Sequence, residues 1–190
     1  MSIEVIKHQD VIEKAKLGDE HAMQEIYALY AKAMLNTSFR IVNNREDAED
    51  SLQESFVKAF SNLHQFKYQS TFGAWLKRIV VNKSIDTLKK RSSSIFFSVE
   101  DNEVVEEQDP LKNLDLKQQL DTVFSALHQL PDGYRAVASL YLLEGYDHEE
   151  IAGILNIGVS TSISQLSRAK KKLKLLIIET NRHERVGKAI

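Results

Sequence analysis

The stretch Gly145-Tyr-Asp-His-Glu-Glu-Ile-Ala-Gly-Ile-Leu-Asn-Ile-Gly-Val-Ser-Thr-Ser-Ile-Ser-Gln-Leu-Ser-Arg-Ala-Lys-Lys-Lys-Leu173 carries two apolar periodicities on either side of a turn. Asp147 stands where a helix N-cap is needed, ahead of Ile151, Ala152, Ile154 and Leu155. Asn156 and Gly158 both tolerate the backbone of a tight turn, and a second helix is predicted to open near 158–160. Two helices crossing steeply must approach closely, which a small residue such as Ala152 permits, and Ile157 is placed to plug the corner. On the second helix Leu166, Ala169 and Leu173 form one buried stripe, leaving Ile163, Ser164, Ser167 and Arg168 facing outward, within reach of base edges. Lys170, Lys171, Lys172 and Lys174 extend the same helix as charge for phosphates. The pattern is a helix-turn-helix, and nucleic acid is the first partner to consider. The competing reading is an ordinary helical hairpin with a solvated lysine tail.

A chain of 190 residues with 43% hydrophobic content can bury one good core or two small ones. Two small helical domains are predicted. Seven glycines, two prolines, no apolar run of membrane-crossing length and no charged-then-apolar leader at the start point to a soluble, cytoplasmic protein without membrane insertion. The absence of cysteine removes disulfides, thiolate zinc sites and cysteine nucleophiles. The formal net charge of −2 means that nucleic-acid affinity must come from local basic clusters.

Gly18-Asp19 separates a short amphipathic helix, about Asp10 to Leu17, from a longer one with Ala22, Ile26, Leu29, Ala33 and Met34 at helical spacing, which the Asn43-Asn44 pair ends. A third helix is predicted from about Glu46 to Asn62, with Ala48, Leu52, Ser55, Phe56, Ala59 and Leu63 on one face and a mostly acidic face opposite. A polar loop over 66–71 leads to a fourth helix from about Phe72 to Arg91. Between Ser92 and Pro110 the chain carries Glu100, Asp101, Glu103, Glu106, Glu107 and Asp109 with no lysine or arginine, which reads as an acidic linker. Helical spacing returns with Leu116, Leu120, Val123, Leu127 and Leu130, stops at Pro131-Asp132-Gly133, and resumes through Tyr134, Val137, Ala138 and Tyr141 to Gly145. The expected organisation is all-α: a domain over 1–91, an acidic linker over 92–112, a helix-turn-helix domain over 113–178 and a polar, frayed tail over 179–190.

Two further clusters bear on function. Phe66, Tyr68, Phe72 and Trp75 are interleaved with Lys67, Lys77, Arg78, Lys83, Lys89, Lys90 and Arg91. Aromatic faces plus positive charge suit unstacked bases, each worth roughly 1–3 kcal/mol of stacking. Asn82 adds an amide for a base edge. The alternative is that Phe72, Trp75 and Ile79 are core and the basic residues a solvated face. Asp47, Asp50 and Glu54 share a face of the third helix; without a further coordination shell they read better as a docking surface for a basic partner than as a divalent-ion site. A plain solvated face stays open. The six histidines are scattered singly, as surface residues.

Together these segments resemble the extracytoplasmic-function (ECF, group IV) class of bacterial RNA polymerase sigma factors of the sigma-70 family. Asp47-Ala-Glu-Asp-Ser-Leu-Gln-Glu-Ser-Phe-Val-Lys-Ala-Phe60 looks like that family's polymerase-docking helix. Thr71-Phe-Gly-Ala-Trp-Leu-Lys-Arg-Ile-Val-Val-Asn-Lys-Ser-Ile-Asp86 looks like its promoter-melting helix, and Leu130-Pro-Asp-Gly-Tyr-Arg135 with the helix-turn-helix looks like its second domain.

The resemblance implies a non-enzymatic promoter-specificity subunit without cofactor or metal, whose partners are core RNA polymerase, promoter DNA as duplex and single strand, and an anti-sigma factor. Asp47, Asp50, Gln53, Glu54 and Phe56 would dock on the clamp helices of β′, with β a further contact. Phe66, Lys67, Tyr68, Gln69, Ser70, Thr71, Lys77, Arg78 and Asn82 would engage the single-stranded minus-ten element, holding a flipped base. Ile163, Ser164, Ser167, Arg168, Lys170, Lys171 and Lys172 would engage the minus-thirty-five duplex. The acidic linker would thread the polymerase's RNA channel. Ile163 departs from the lysine or arginine many members carry, and could contact a thymine methyl but not pair with phosphate. Ser162 replaces an apolar residue, and the sequence offers no compensation for the weakened core contact. An autonomous helix-turn-helix regulator, binding duplex without polymerase, is the alternative function.

Overall fold

The computed structural model describes residues 8–91 and 116–187, with side chains described through 180. The chain divides into two compact units, Met1–Arg91 and Ser92–Ile190. Every regular element among the described residues is helical. The expected linker, 92–112, lies outside the described residues.

The first unit contains α1 (Gln9–Lys16), α2 (Glu20–Val42), α3 (Arg45–Ser61), a 3₁₀ turn (Leu63–Gln65) and α4 (Phe72–Arg91). Local chemistry sets each break. Gly18 takes φ +90 between α1 and α2, and the Asp19 carboxylate caps α2 by accepting from the Ala22 N–H at 3.1 Å. The Asn43-Asn44 pair divides the labour: Asn43 turns left-handed at φ 53 to close α2, and Asn44 caps α3 through the Asp47 N–H at 3.0 Å. Cross-links between α3 and α4 run in opposite order, Asp47 with Arg91, Ser51 with Thr87 and Glu54 with Lys83, so the two helices are antiparallel.

The predicted face of α3, Ala48, Leu52, Ser55, Phe56 and Ala59, is buried throughout, as is Leu63, which falls in the 3₁₀ turn. The face of α2 is the predicted one only in part. Ala22, Ile26 and Met34 are buried, but Leu29 and Ala33 are exposed, and Thr37, Ser38, Ile41 and Val42 complete the buried set. Hydropathy misses Ser38 because it measures side chains without partners: Ser84 Oγ lies 2.8 Å from Ser38 Oγ and from the Val80 carbonyl. Small hydroxyls at this crossing let α2 and α4 approach closely with their polar atoms satisfied.

The second unit contains α5 (Leu116–His128), α6 (Asp132–Ala138) continued by a π turn (Ser139–Leu143), α7 (His148–Leu155) and α8 (Val159–Gly187). Its core joins Ala126, Leu127 and Leu130 to Tyr134, Ala138, Ala169, Leu173, Leu176 and Ile177. Arg135 is buried at 1% exposure, donating to the Leu130 carbonyl at 2.8 Å and paired with Asp132. It thereby ties the end of α5 to the start of α6 across Pro131. Leu116, Leu120 and Tyr141, predicted on the apolar faces, are exposed. The first two precede the buried part of α5. Tyr141 falls within the π turn, which holds more residues per turn than an α-helix and rotates it off the stripe. The helix α8 continues to Gly187, past residue 178 where the second domain is expected to end. Glu179, Arg182, Glu184 and Arg185 are polar but favour helix, so propagation from the packed part of α8 continues through them.

Candidate nucleic-acid interface

The helix-turn-helix forms as α7 and α8. The Asp147 carboxylate accepts from the Glu149 and Glu150 N–H groups at 2.9 and 2.8 Å, while the Glu150 carboxylate accepts from the Asp147 N–H at 3.0 Å, a complete capping box. Of the two residues predicted to carry the turn, Asn156 does so: it is left-handed at φ 58, and the Asn156 and Ile157 N–H groups both reach the Ala152 carbonyl. Gly158 has no positive φ and instead accepts from the Ser162 N–H as α8 begins. Ile151 and Leu155 are buried, with Ala152 and Ile157 half-buried at the corner.

On α8 the predicted stripe, Leu166, Ala169 and Leu173, is buried. Ile163 and Ser167 are exposed, Ser164 and Arg168 half-buried, and Lys170, Lys171 and Lys172 exposed. The Ser164 hydroxyl donates to the Thr161 carbonyl at 3.0 Å, which leaves its acceptor lone pairs more open to a further partner than its proton. Lys170 lies 5.7 Å from the Tyr141 ring centroid.

Ser162, for which sequence offered no compensation, has one. It is fully buried, and its Oγ lies 2.9 Å from His148 Nδ1, linking the first turns of α7 and α8. His148 in turn stacks on Tyr141 at 4.7 Å between ring centroids. His148 is therefore not the isolated surface histidine its sequence context suggested. A histidine and a serine fourteen positions apart give no periodic signal, because only the crossing of the two helices brings them together.

In the first unit, the loop before α4 exposes Lys67, Gln69 and Ser70, and α4 exposes Arg78 and Asn82 one turn apart with Lys77 half-buried. Two predicted base contacts are occupied otherwise. The Phe66 ring is 3% exposed, packed 4.7 to 5.5 Å from the rings of Tyr68, Phe72 and Trp75. Burial among aromatics uses its face, so in this structure it is the floor of the loop and not a stacking platform. The Thr71 hydroxyl accepts from the Ala74 N–H at 3.2 Å and caps α4. Phe72 is core, as the plainer reading had it, while Trp75 is half-buried.

The loop is held from an unpredicted direction. Tyr68 takes φ 58, its hydroxyl donates to Glu13 Oε1 at 2.6 Å, and Lys16 Nζ lies 4.5 Å from its ring centroid. The Tyr68 and Lys16 hydrogen bonds, with the nearby Lys16 charge, hold the Glu13 carboxyl below the usual range; burial, then Glu13, pushes the Tyr68 hydroxyl well above the ordinary tyrosine value. Sequence could not signal this, because α1 and the loop are far apart along the chain.

The acidic face of α3 also differs from expectation. Phe56, which periodicity places on the buried face and the family resemblance on the docking surface, is 3% exposed and packs 4.7 Å from Tyr27 and 5.7 Å from Phe60. Asp50, Gln53, Glu54 and Val57 are exposed, and Val57 was not predicted. Asp47 and Glu54 are already paired, with Arg91 and Lys83. The Lys83 hydrogen bond and charge, with Lys90, lower the Glu54 carboxyl. Among the described residues no His, Asp or Glu cluster could hold a metal ion, and no helix is long and apolar enough to cross a membrane.

Two compact helical units, one with an aromatic-basic helix and one with a helix-turn-helix, define a class of transcription protein whose families match this chain in order. Residues 26–94 match Sigma-70 region 2 and residues 120–173 match Sigma-70, region 4. The ECF RNA polymerase sigma-E factor of Haemophilus influenzae is 30% identical over 90% of this chain and 95% of its own length. The ECF RNA polymerase sigma factor SigW of Bacillus subtilis is 28% identical over 86% of this chain and 92% of its own. Among solved structures, the sigma factor RpoE of Bartonella quintana, in complex with the anti-sigma factor NepR, matches with a TM-score of 0.52, at 25% identity over 81% of this chain and 95% of that one. The chain belongs to the ECF sigma factors of the sigma-70 family.

Proposed function

We propose that this chain is a promoter-specificity subunit that binds core RNA polymerase through α3, reads a minus-thirty-five duplex with α8 and holds an opened minus-ten strand along α4. The observation that carries this reading is the pair of exposed, chemically distinct surfaces on the two units: Lys67, Gln69, Ser70, Arg78 and Asn82 on one, and Ile163, Ser167 and the lysine run on the other. The loop and Asn82 grip a base flipped from the non-template strand. Extrusion costs a few kcal/mol, returned by edge hydrogen bonds and phosphate contacts. Phe66 supports the loop from beneath. Asp50, Gln53 and Glu54, with Val57 as apolar area, face the β′ clamp; the Asp47–Arg91 and Glu54–Lys83 pairs open or persist as the partner's own cations approach. The protein catalyses no reaction itself and acts in the cytoplasm, where the polymerase is. An anti-sigma partner is supported by the likeness to a sigma factor solved with one.

Run-off transcription from pooled genomic fragments, with sigma-free core polymerase and with or without this chain, tests the proposal. New transcript starts sharing two upstream motifs are expected; core binding without such starts rejects promoter recognition. Asn82→Ala is expected to reduce open-complex formation while leaving core binding intact, read by permanganate footprinting beside a core-binding titration. Unchanged opening would remove Asn82 from the strand-binding surface.

A further inference from the structure

We propose that Glu13 and Lys16 of α1 are positioning residues for the 66–71 loop, locking Tyr68 in a left-handed backbone so that Lys67, Gln69 and Ser70 are presented to the DNA strand. The inference rests on the reading of that loop given above.

Tyr68 is a bulky residue at φ 58, a conformation that costs such a side chain free energy and persists only where contacts over-determine it. Those contacts converge from one face of α1. Glu13 Oε1 accepts from the Tyr68 hydroxyl at 2.6 Å and from Lys16 Nζ at 3.0 Å. Lys16 Nζ also donates to the Phe66 carbonyl at 3.1 Å and lies over the Tyr68 ring. Its side chain is only 17% exposed, which strengthens the attraction of the cation for ring and carboxylate. The two loop residues flanking Lys67 are thus both fastened to α1, and Lys67 itself is exposed between them.

Anchoring α1 does not need this latch, because Val11, Ile12 and Ala15 are buried in the core of the unit. The polar network acts instead on the loop, whose backbone would otherwise sample ordinary β and right-handed conformations. A loop populating its binding conformation a tenth of the time binds its strand about tenfold more weakly, with no contact to DNA lost.

The test uses the full chain with core polymerase and a promoter library randomised through the minus-ten element. Glu13→Ala, Lys16→Met and Tyr68→Phe are each expected to lower open-complex formation about tenfold and to flatten base preference, with core binding unchanged. Glu13→Gln, which keeps an acceptor for the Tyr68 hydroxyl, is expected to recover much of both. The Glu13→Ala/Tyr68→Phe pair should be little worse than Glu13→Ala alone, because removing the Glu13 carboxylate already breaks the Tyr68 hydrogen bond. Lower melting temperatures with unchanged opening and base preference would overturn the proposal, leaving the network a structural tie. Gln69→Ala and Asn82→Ala are run alongside. If these also leave opening unchanged, the loop reading fails and the inference with it; if they impair opening while the α1 variants do not, the inference alone fails.

Discussion

Ser162 and His148 show how a single polar substitution is accommodated in a crossing that depends on close packing. A serine at 0% exposure would cost desolvation if its hydroxyl were unpaired, and the imidazole nitrogen at 2.9 Å supplies the pair. Ser162→Ala is therefore expected to lower the stability of the second unit by about 1–2 kcal/mol despite adding no bulk and no charge. Urea denaturation of the full chain, with hydrogen exchange at the α7 and α8 amides, would show it; an unchanged protection pattern would mean the hydrogen bond contributes nothing net. Ile163 is 52% exposed, so its apolar side chain is available to a base methyl and not spent on the fold.

On α8, the proposed readout and affinity separate along the element. Arg168→Ala is expected to weaken one upstream sequence selectively, by about 1–3 kcal/mol, whereas alanine at Lys170, Lys171 or Lys172 should weaken matched and scrambled duplexes alike and reduce the salt slope by about one each. Equal losses on both duplexes for Arg168→Ala would remove it from direct readout. On α1, the lowered Glu13 carboxyl gives a pH signature. A group whose folded pKa is depressed contributes stability above its unfolded value and loses it as pH falls through the folded one. The melting-temperature difference between the native chain and Glu13→Gln should accordingly hold through neutral pH and vanish in acid below the ordinary carboxylate range, as a pH series of thermal melts would show. Tyr68, raised above the usual tyrosine value, stays a donor throughout that series.

At the scale of the whole chain, a net charge of −2 is reconciled with DNA binding by segregation: the basic clusters lie on α4 and α8, and much acidic charge falls on α3 and within 100–109. The helices themselves were legible from sequence, because periodicity, caps and turn residues are local: α4 has its predicted limits, the α3 face is buried as read, and Asp147 and Asn156 start and stop α7 as their chemistry requires. The order of the docking-like, melting-like and helix-turn-helix segments likewise pointed to the family. Tertiary structure alone decided which candidate side chains are available. It took Phe66 into an aromatic cluster, paired Asp47 and Glu54 with α4, joined His148 to Ser162 and fastened Tyr68 to α1. The physical reason is that a residue's type and spacing fix its local preference, but whether its face or polar atom is spent depends on partners in other elements, which only packing brings within contact distance.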